Sequence, residues 1–295
     1  MAHPWRLGAA ALWCAAAMAP GISCAPRPVL PGGDGVHELT THVVLHGARL
    51  TLHLADPRSA SARAATADTQ SGALPLVVYG SGDGGWFGAA VGMFKMIAGG
   101  GYPAVGFSSR ALLKIEQAGH APLSGHQIGD SYRAILETSR RALALPPDAP
   151  AVLTGWSRGA SLALLAAAEP DSDRAVTGIV AIGLPRDEQL DVEPGDDEDP
   201  VPAVSSPGSA SRPGAARELL MYPLLGRVAP RRSAIVQASG DGYLPATQAR
   251  VLFGADSEFK RFYEVPAGNH RFGGGKDAFR QALLDALAWA GEARP

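Results

Sequence analysis

From residue 74 onward, short apolar runs alternate with longer stretches of helical period. Residues 74–79, 102–107, 151–154 and 176–182 are each too short for a helix. They are apolar on both alternating faces, as strands buried on two sides must be. Residues 233–237 and 259–265 read as two further strands. Between them, Phe87, Ala90, Val91, Phe94 and Ile97 fall on one helical face that Gly99 to Gly101 ends. Residues 127–145, with Ile128, Tyr132, Ile135 and Leu136, repeat the pattern. So do the Ala/Leu run 160–168, residues 246–252, and 277–290 with Phe279, Leu283, Leu284 and Leu287. Strands of this kind separated by helices predict the α/β class: a mainly parallel sheet covered by helices on both faces.

The flanking regions follow other periods. Val43, Val44 and Leu45, then Leu50, Leu52 and Leu54, alternate with more polar neighbours and predict an antiparallel hairpin turning near Gly47. It would stand at the sheet edge, where it could pair with another chain; the sequence leaves the oligomeric state open. Residues 57–72 are rich in Ser, Ala and Thr without a period and read as an exposed loop. Residues 185–215 carry Asp187, Glu188, Asp191, Glu193 and further acids, then Pro/Ser/Gly/Ala repeats, and read as a disordered, solvated insertion. Residues 218–225 add a short apolar segment able to line one wall of a site.

At the start, His3 and Arg6 precede an apolar stretch over residues 7–18, with Gly21 and Ser23 beyond it. That is a secretory signal pattern over residues 1–23, so the expected location is the periplasm or the medium. Cys24 after Ser23 allows a second reading, a lipid anchor, although Gly21 stands where lipoprotein signals usually carry leucine. Residues 24–35 read as a Pro/Gly-rich tether, and 36–295 as one domain. Once Cys14 is removed with the leader, at most one cysteine remains and no internal disulfide can form. A net charge of -2 without a basic block argues against nucleic acid as a partner. The histidines have no metal-binding spacing, and neither a metal nor an organic cofactor is called for.

The candidate chemistry centres on Gly155-Trp156-Ser157-Arg158-Gly159. This G-x-S-x-G lies between a predicted strand and a predicted helix, the setting of a nucleophile elbow. Asp241 and His270 also follow predicted strands, which in a parallel sheet places them with Ser157 at the carboxyl ends, where ligands bind. The order Ser157, Asp241, His270 is that of α/β-hydrolases. A serine hydroxyl is inert at its own pKa, so His270 would take its proton while Asp241 orients the imidazole and stabilises its charged form. Asp241 between two glycines also suits a simple turn cap.

Upstream, Gly80-Ser81-Gly82-Asp83-Gly84-Gly85-Trp86 follows a strand. The N–H of Arg158 and one from the Gly82–Asp83 region would form the oxyanion hole. Gly80, Gly82 and Gly85 also satisfy a dinucleotide fingerprint. No acidic residue follows the next strand to hold a ribose, however; Arg110 alone could meet a 2′-phosphate, and the lysine of a triphosphate loop is absent. Asp83 has two readings, a loop brace through backbone hydrogen bonds or a contact to a cationic substrate group. Trp86 is a helix-packing residue or a pocket wall. Trp156 is a candidate substrate contact, and Arg158 could pair with an anionic substrate or an acidic helix neighbour.

The octapeptide Tyr79 to Trp86, together with Gly155-Trp156-Ser157-Arg158-Gly159 and Gly268-Asn269-His270, resembles the bacterial VirJ/AcvB virulence-protein family over roughly residues 74–290. The resemblance implies an exported α/β-hydrolase linked to virulence and type IV secretion, with Ser157, Asp241 and His270 as nucleophile, acid and base. It implies an aminoacylated phospholipid, lysyl-phosphatidylglycerol, as substrate, and hence work at an anionic membrane surface. Ser108 to Leu113 departs from the aromatic-rich stretch those proteins carry there. An exported short- or medium-chain carboxylesterase, a peptidase and a non-enzymatic binding protein on the same fold are the competing readings.

Overall fold

The computed structural model describes residues 37–58, 74–119, 123–190 and 219–292. The expected leader and tether, nearly all of the 57–72 loop, and residues 191–215 of the acidic segment lie outside them. The first elements are β1 (His37–Leu45), β2 (Ala48–Asp56), β3 (Leu76–Gly80), α1 (Ala89–Gly99) and β4 (Ala104–Phe107). Next come α2 (Ser109–Gly119), α3 (Gly125–Ala142), β5 (Ala151–Trp156), α4 (Arg158–Ala168) and β6 (Val176–Ile182). A two-residue ribbon, β7 (Asp187–Glu188) and β8 (Leu219–Leu220), precedes a 3-10 turn at Tyr222–Leu224 and α5 (Leu225–Val228). The chain closes with β9 (Arg232–Ala238), α6 (Ala246–Phe253), β10 (Lys260–Val265) and α7 (Lys276–Gly291).

Eight strands form one sheet in the order β1-β2-β4-β3-β5-β6-β9-β10. β3 through β10 run parallel to their neighbours, and β2 joins β4 antiparallel. The period-2 alternation of the central strands divides two cores. Leu76, Val78, Leu153, Ile179 and Ile235 face one side, under α2, α3, α4 and α6. Val77, Tyr79, Val152, Val180 and Val236 face the other, under α1 and α7. Each strand is thus apolar on both faces because each face meets a helix layer. This is the α/β-hydrolase architecture expected from the sequence.

The hairpin closes through His46 (φ 49°) and Gly47 (φ 80°), with Leu45 opposite Ala48. Two positive φ values fit the two-residue turn that matches strand twist. Only β1 of this pair is an edge; β2 lies inside the sheet, so the expected open edge is confined to residues 37–45.

Two expectations need correction. Phe87 precedes α1 and is exposed rather than part of its buried face. Residues 109–119, for which the hydrophobic pattern predicted no element, form α2, which buries Ser109, Leu112, Leu113 and Glu116. The stretch departing from the family pattern is therefore largely a packed helix. Finally, Asp187 and Glu188 are not solvated insertion but strand β7, held to Leu220 and Leu219. An acidic composition concealed a pairing whose partners, Leu219 and Leu220, lie beyond the acidic segment.

Candidate active site

The site lies where the parallel strands end. β4 and β5 flank β3 on opposite sides, so the loops that follow β3 and β5 diverge around a crevice at their carboxyl ends. Ser157 sits in the turn between β5 and α4 with φ 55° and ψ -121°, a conformation foreign to a residue with a side chain. Such a backbone costs about 1–3 kcal/mol and persists only where its surroundings enforce it. Here they do. Ser157 N–H donates to the Ile182 carbonyl at 2.9 Å, pinning the turn to β6. A Cβ on Gly155 would lie 2.2 Å from the Gly159 carbonyl carbon, and one on Gly159 would lie 2.2 Å from the Gly80 oxygen. Glycine at both places lets strand, helix and loop cross.

The structure brings His270 and Asp241 together. Nδ1 of His270 is 2.6 Å from Oδ2 of Asp241, whose side chain is fully buried. The same oxygen accepts from Gln237 Nε2 at 2.9 Å, while Oδ1 accepts from the Tyr243 N–H at 2.9 Å. Asp241 thus caps the following turn through Oδ1 and meets the imidazole through Oδ2. Sequence reasoning missed Gln237; its signal is a polar residue in the otherwise apolar end of β9. The loop bearing His270 is shaped by Asn269, whose Oδ1 accepts from the N–H groups of Arg271 and Gly273, both at 3.0 Å. Gly183, at φ 58°, leaves room for the imidazole: a Cβ there would stand 2.8 Å from its Cε1. Nε2 of His270 is buried and has no hydrogen-bond partner.

Arg158 opens α4, whose first-turn N–H groups have no carbonyl within the helix and carry its positive dipole end. Its guanidinium Nε reaches the Asp83 carboxylate at 2.7 Å and Glu188 at 3.1 Å. Neither partner is the helix neighbour expected. Asp83 is 63% exposed and engages Arg158, a partner its backbone-brace reading did not include. Glu188 is 6% exposed; burial raises its pKa, Arg158 offsets this in part, and Asp83 adds to the rise. Residues 83, 158 and 188 come from a loop, a helix start and a short strand far apart in the chain, which is why sequence spacing did not reveal the group.

The two tryptophans part company. Trp86 stacks on His53 at 4.4 Å and meets Tyr79 and Phe94 edge-on, over a glycine, Gly106, where any side chain would collide with it. Trp86 is thus a packing residue, partly buried among His53, Tyr79 and Phe94. Trp156 is half-buried, donates its indole N–H to the His270 carbonyl at 3.1 Å, and lies against Gly82. Among the described residues, no group of three or more His, Cys, Asp or Glu side chains could hold a metal ion, and no helix is long and apolar enough to cross a membrane.

No family model and no curated protein matches this sequence. Solved structures do resemble it. A protein of Klebsiella pneumoniae subsp. pneumoniae, provisionally assigned as a dienelactone hydrolase, is 12% identical at a TM-score of 0.59, covering 88% of this chain and 100% of its own. A cold-adapted esterase from an Arctic intertidal metagenomic library is 14% identical at 0.55, covering 89% and 97%. Est1E from Butyrivibrio proteoclasticus is 12% identical at 0.53, covering 84% and 99%. At these identities the likeness establishes the fold, and the chain has the α/β-hydrolase fold.

Proposed function

We propose that this protein is a serine hydrolase of carboxylic esters. The observation that carries the reading is the strained Ser157 turn standing at the same sheet end as an imidazole held by a buried carboxylate at 2.6 Å. Ser157 Oγ adds to the ester carbonyl carbon as its proton passes to His270 Nε2. The resulting oxyanion is met by the N–H of Arg158 and by one from the Gly82–Asp83 loop. Collapse breaks the bond to the alcohol oxygen, which leaves with the proton from His270. Water then adds to the acyl-enzyme through the same base, releasing the acid and restoring Ser157. One of the fold relatives named above is an esterase, which supports a carboxylic ester, here a short- or medium-chain one, as the first substrate class.

An aminoacyl phospholipid is the second reading. The S-G-D-G-G-W loop supports it, as does the charge at the rim, where Asp83 and Glu188 outnumber Arg158 and would favour a substrate with an ammonium group. Export to the periplasm or medium, with or without a lipid at Cys24, belongs to the same proposal. The test sets purified protein against a short p-nitrophenyl ester and lysyl-phosphatidylglycerol in micelles, each with a Ser157→Ala control. Turnover of either substrate should fall by about four orders of magnitude in the control. Lysine release would select the lipid, and short-ester turnover alone the esterase. Absence of both, with no fluorophosphonate labelling of Ser157, would leave a binding protein on a hydrolase fold.

A further inference from the structure

Two aromatic rings stand on His270, and the chemistry above uses neither. Trp156, the last residue of β5, places its ring centroid 5.4 Å from the imidazole at an interplanar angle of 33°. Tyr243, two residues past Asp241, approaches to 4.9 Å edge-to-face at 67°. Trp156 also donates its indole N–H to the backbone carbonyl of His270 itself. Glycine at 82 leaves room for this ring, since a Cβ would stand 3.1 Å from indole Cε3. Tyr243 is 71% exposed, an uncommon place for a large ring that packing of the core does not require. Its backbone N–H donates to Asp241, so the residue is fixed at both its main chain and its ring.

We propose that Trp156 and Tyr243 form an aromatic holder for His270, with Trp156 fixing the base loop through its indole N–H and both rings enclosing the imidazole when it is charged. The proposal rests on the reading of Ser157 and His270 as nucleophile and base. An imidazole that accepts the serine proton becomes a cation, and aromatic rings attract cations electrostatically. The charge develops as the serine adds to the carbonyl, so the attraction strengthens toward the transition state and raises kcat rather than substrate affinity. Trp156 directly precedes Ser157 in the chain. One side chain therefore ties the nucleophile strand to the loop of the base, and its contact with Gly82 extends the tie to the oxyanion loop. Both rings act through His270 and are positioning residues.

The experiment uses the full-length protein and four variants: Trp156→Phe, which keeps a ring but removes the N–H, Tyr243→Leu, Tyr243→Phe and His270→Asn. On a short p-nitrophenyl ester, Trp156→Phe should lose about fivefold in kcat with KM nearly unchanged. Tyr243→Leu should lose about threefold, and Tyr243→Phe should restore it. A spectroscopic readout is independent of turnover. Removing an imidazole that packs on an indole changes the indole's emission, so at one fixed pH His270→Asn should shift tryptophan fluorescence in the wild-type background and leave it unchanged in the Trp156→Phe background. Circular dichroism melts identify any variant that loses activity by unfolding. Fluorophosphonate labelling of wild-type Ser157 with full kcat in Trp156→Phe, or a fluorescence shift on His270→Asn that does not depend on Trp156, would overturn the holder alone. No labelling of wild-type Ser157 would overturn the hydrolase reading and the holder's catalytic purpose together.

Discussion

At the nucleophile turn, backbone meets backbone: Gly155, Gly159 and Gly80 approach so closely that no side chain fits, and Ser157 is forced to φ 55°. One residue farther on, the largely buried Arg158 side chain is held by two carboxylates, Asp83 on an exposed loop and Glu188 on a two-residue ribbon. The first region is rigid because steric contact leaves it one conformation. The second is held by interactions that depend on solvent and pH, and one of its members is largely exposed to water, where an ion pair contributes little. On the proposed function such a site needs both kinds of region, since the reacting oxygen must be fixed while the rim must admit and release substrate. The contrast predicts that small steric changes at the turn will be severe and charge changes at the rim graded.

The largest effect should come from Gly155→Ala. Its methyl group would fall 2.2–2.8 Å from the backbone of Gly159 and Ala160, atoms that cannot move without displacing the start of α4. Overpacking of this kind costs about 3 kcal/mol or more. The expected outcome is poor folding or a Tm lowered by about 6–12 °C, read by circular dichroism, together with loss of fluorophosphonate labelling. A variant that melts and labels like wild type would show that the turn is softer than its packing implies, and the contrast with the rim would collapse.

That asymmetry also governs what the sequence disclosed. The turn was legible because its requirements are local: apolar strand, glycine, serine, glycine, helix all lie within a dozen residues. The central strands were legible for the same reason, with Val176–Ile182 matching its expected bounds. The Ser157, Asp241 and His270 positions could be read because each follows such a strand. Partners set by tertiary contact were not. Glu188 looked like one acid in a solvated run, yet its β7 pairing with Leu219 buries it beside Arg158. Trp86 looked equally suited to packing and binding until Gly106, from another strand, supplied the bed for its ring. Helix α2 depends on such a contact too: Glu116, a polar residue on its buried face, is fully buried, with His46 3.1 Å away and Ser131 donating to it.

A middle-sized effect is expected from Arg158→Met, which keeps much of the length but removes the charge. Asp83 would lose its partner beside the oxyanion loop, and Glu188 would be left buried without a counter-charge. Activity should drop about tenfold in kcat/KM through a less settled oxyanion loop. Asp83→Asn, at the exposed end of the pair, should cost about threefold or less. Ester kinetics of the two variants side by side check the ordering. An Asp83→Asn loss exceeding that of Arg158→Met would mean that Asp83 acts on substrate directly rather than through the arginine.

The smallest change, and the one with an informative sign, is Glu188→Gln. Burial raises the Glu188 pKa despite Arg158, so the folded protein holds this proton more tightly than the unfolded chain does. Between the two values the native state binds more protons, and stability attributable to Glu188 falls as pH rises through its folded-state pKa. At neutral pH the charged carboxylate therefore works against folding, whereas glutamine, neutral at every pH and nearly isosteric, does not. Glu188→Gln should melt slightly higher than wild type at neutral pH, and the advantage should shrink as pH falls below the ordinary carboxylate range, where both side chains are neutral. Thermal melts of the two proteins across that range measure it. A variant less stable at neutral pH would mean that the Arg158 pairing outweighs the desolvation of Glu188, and that the rim is held as firmly as the turn.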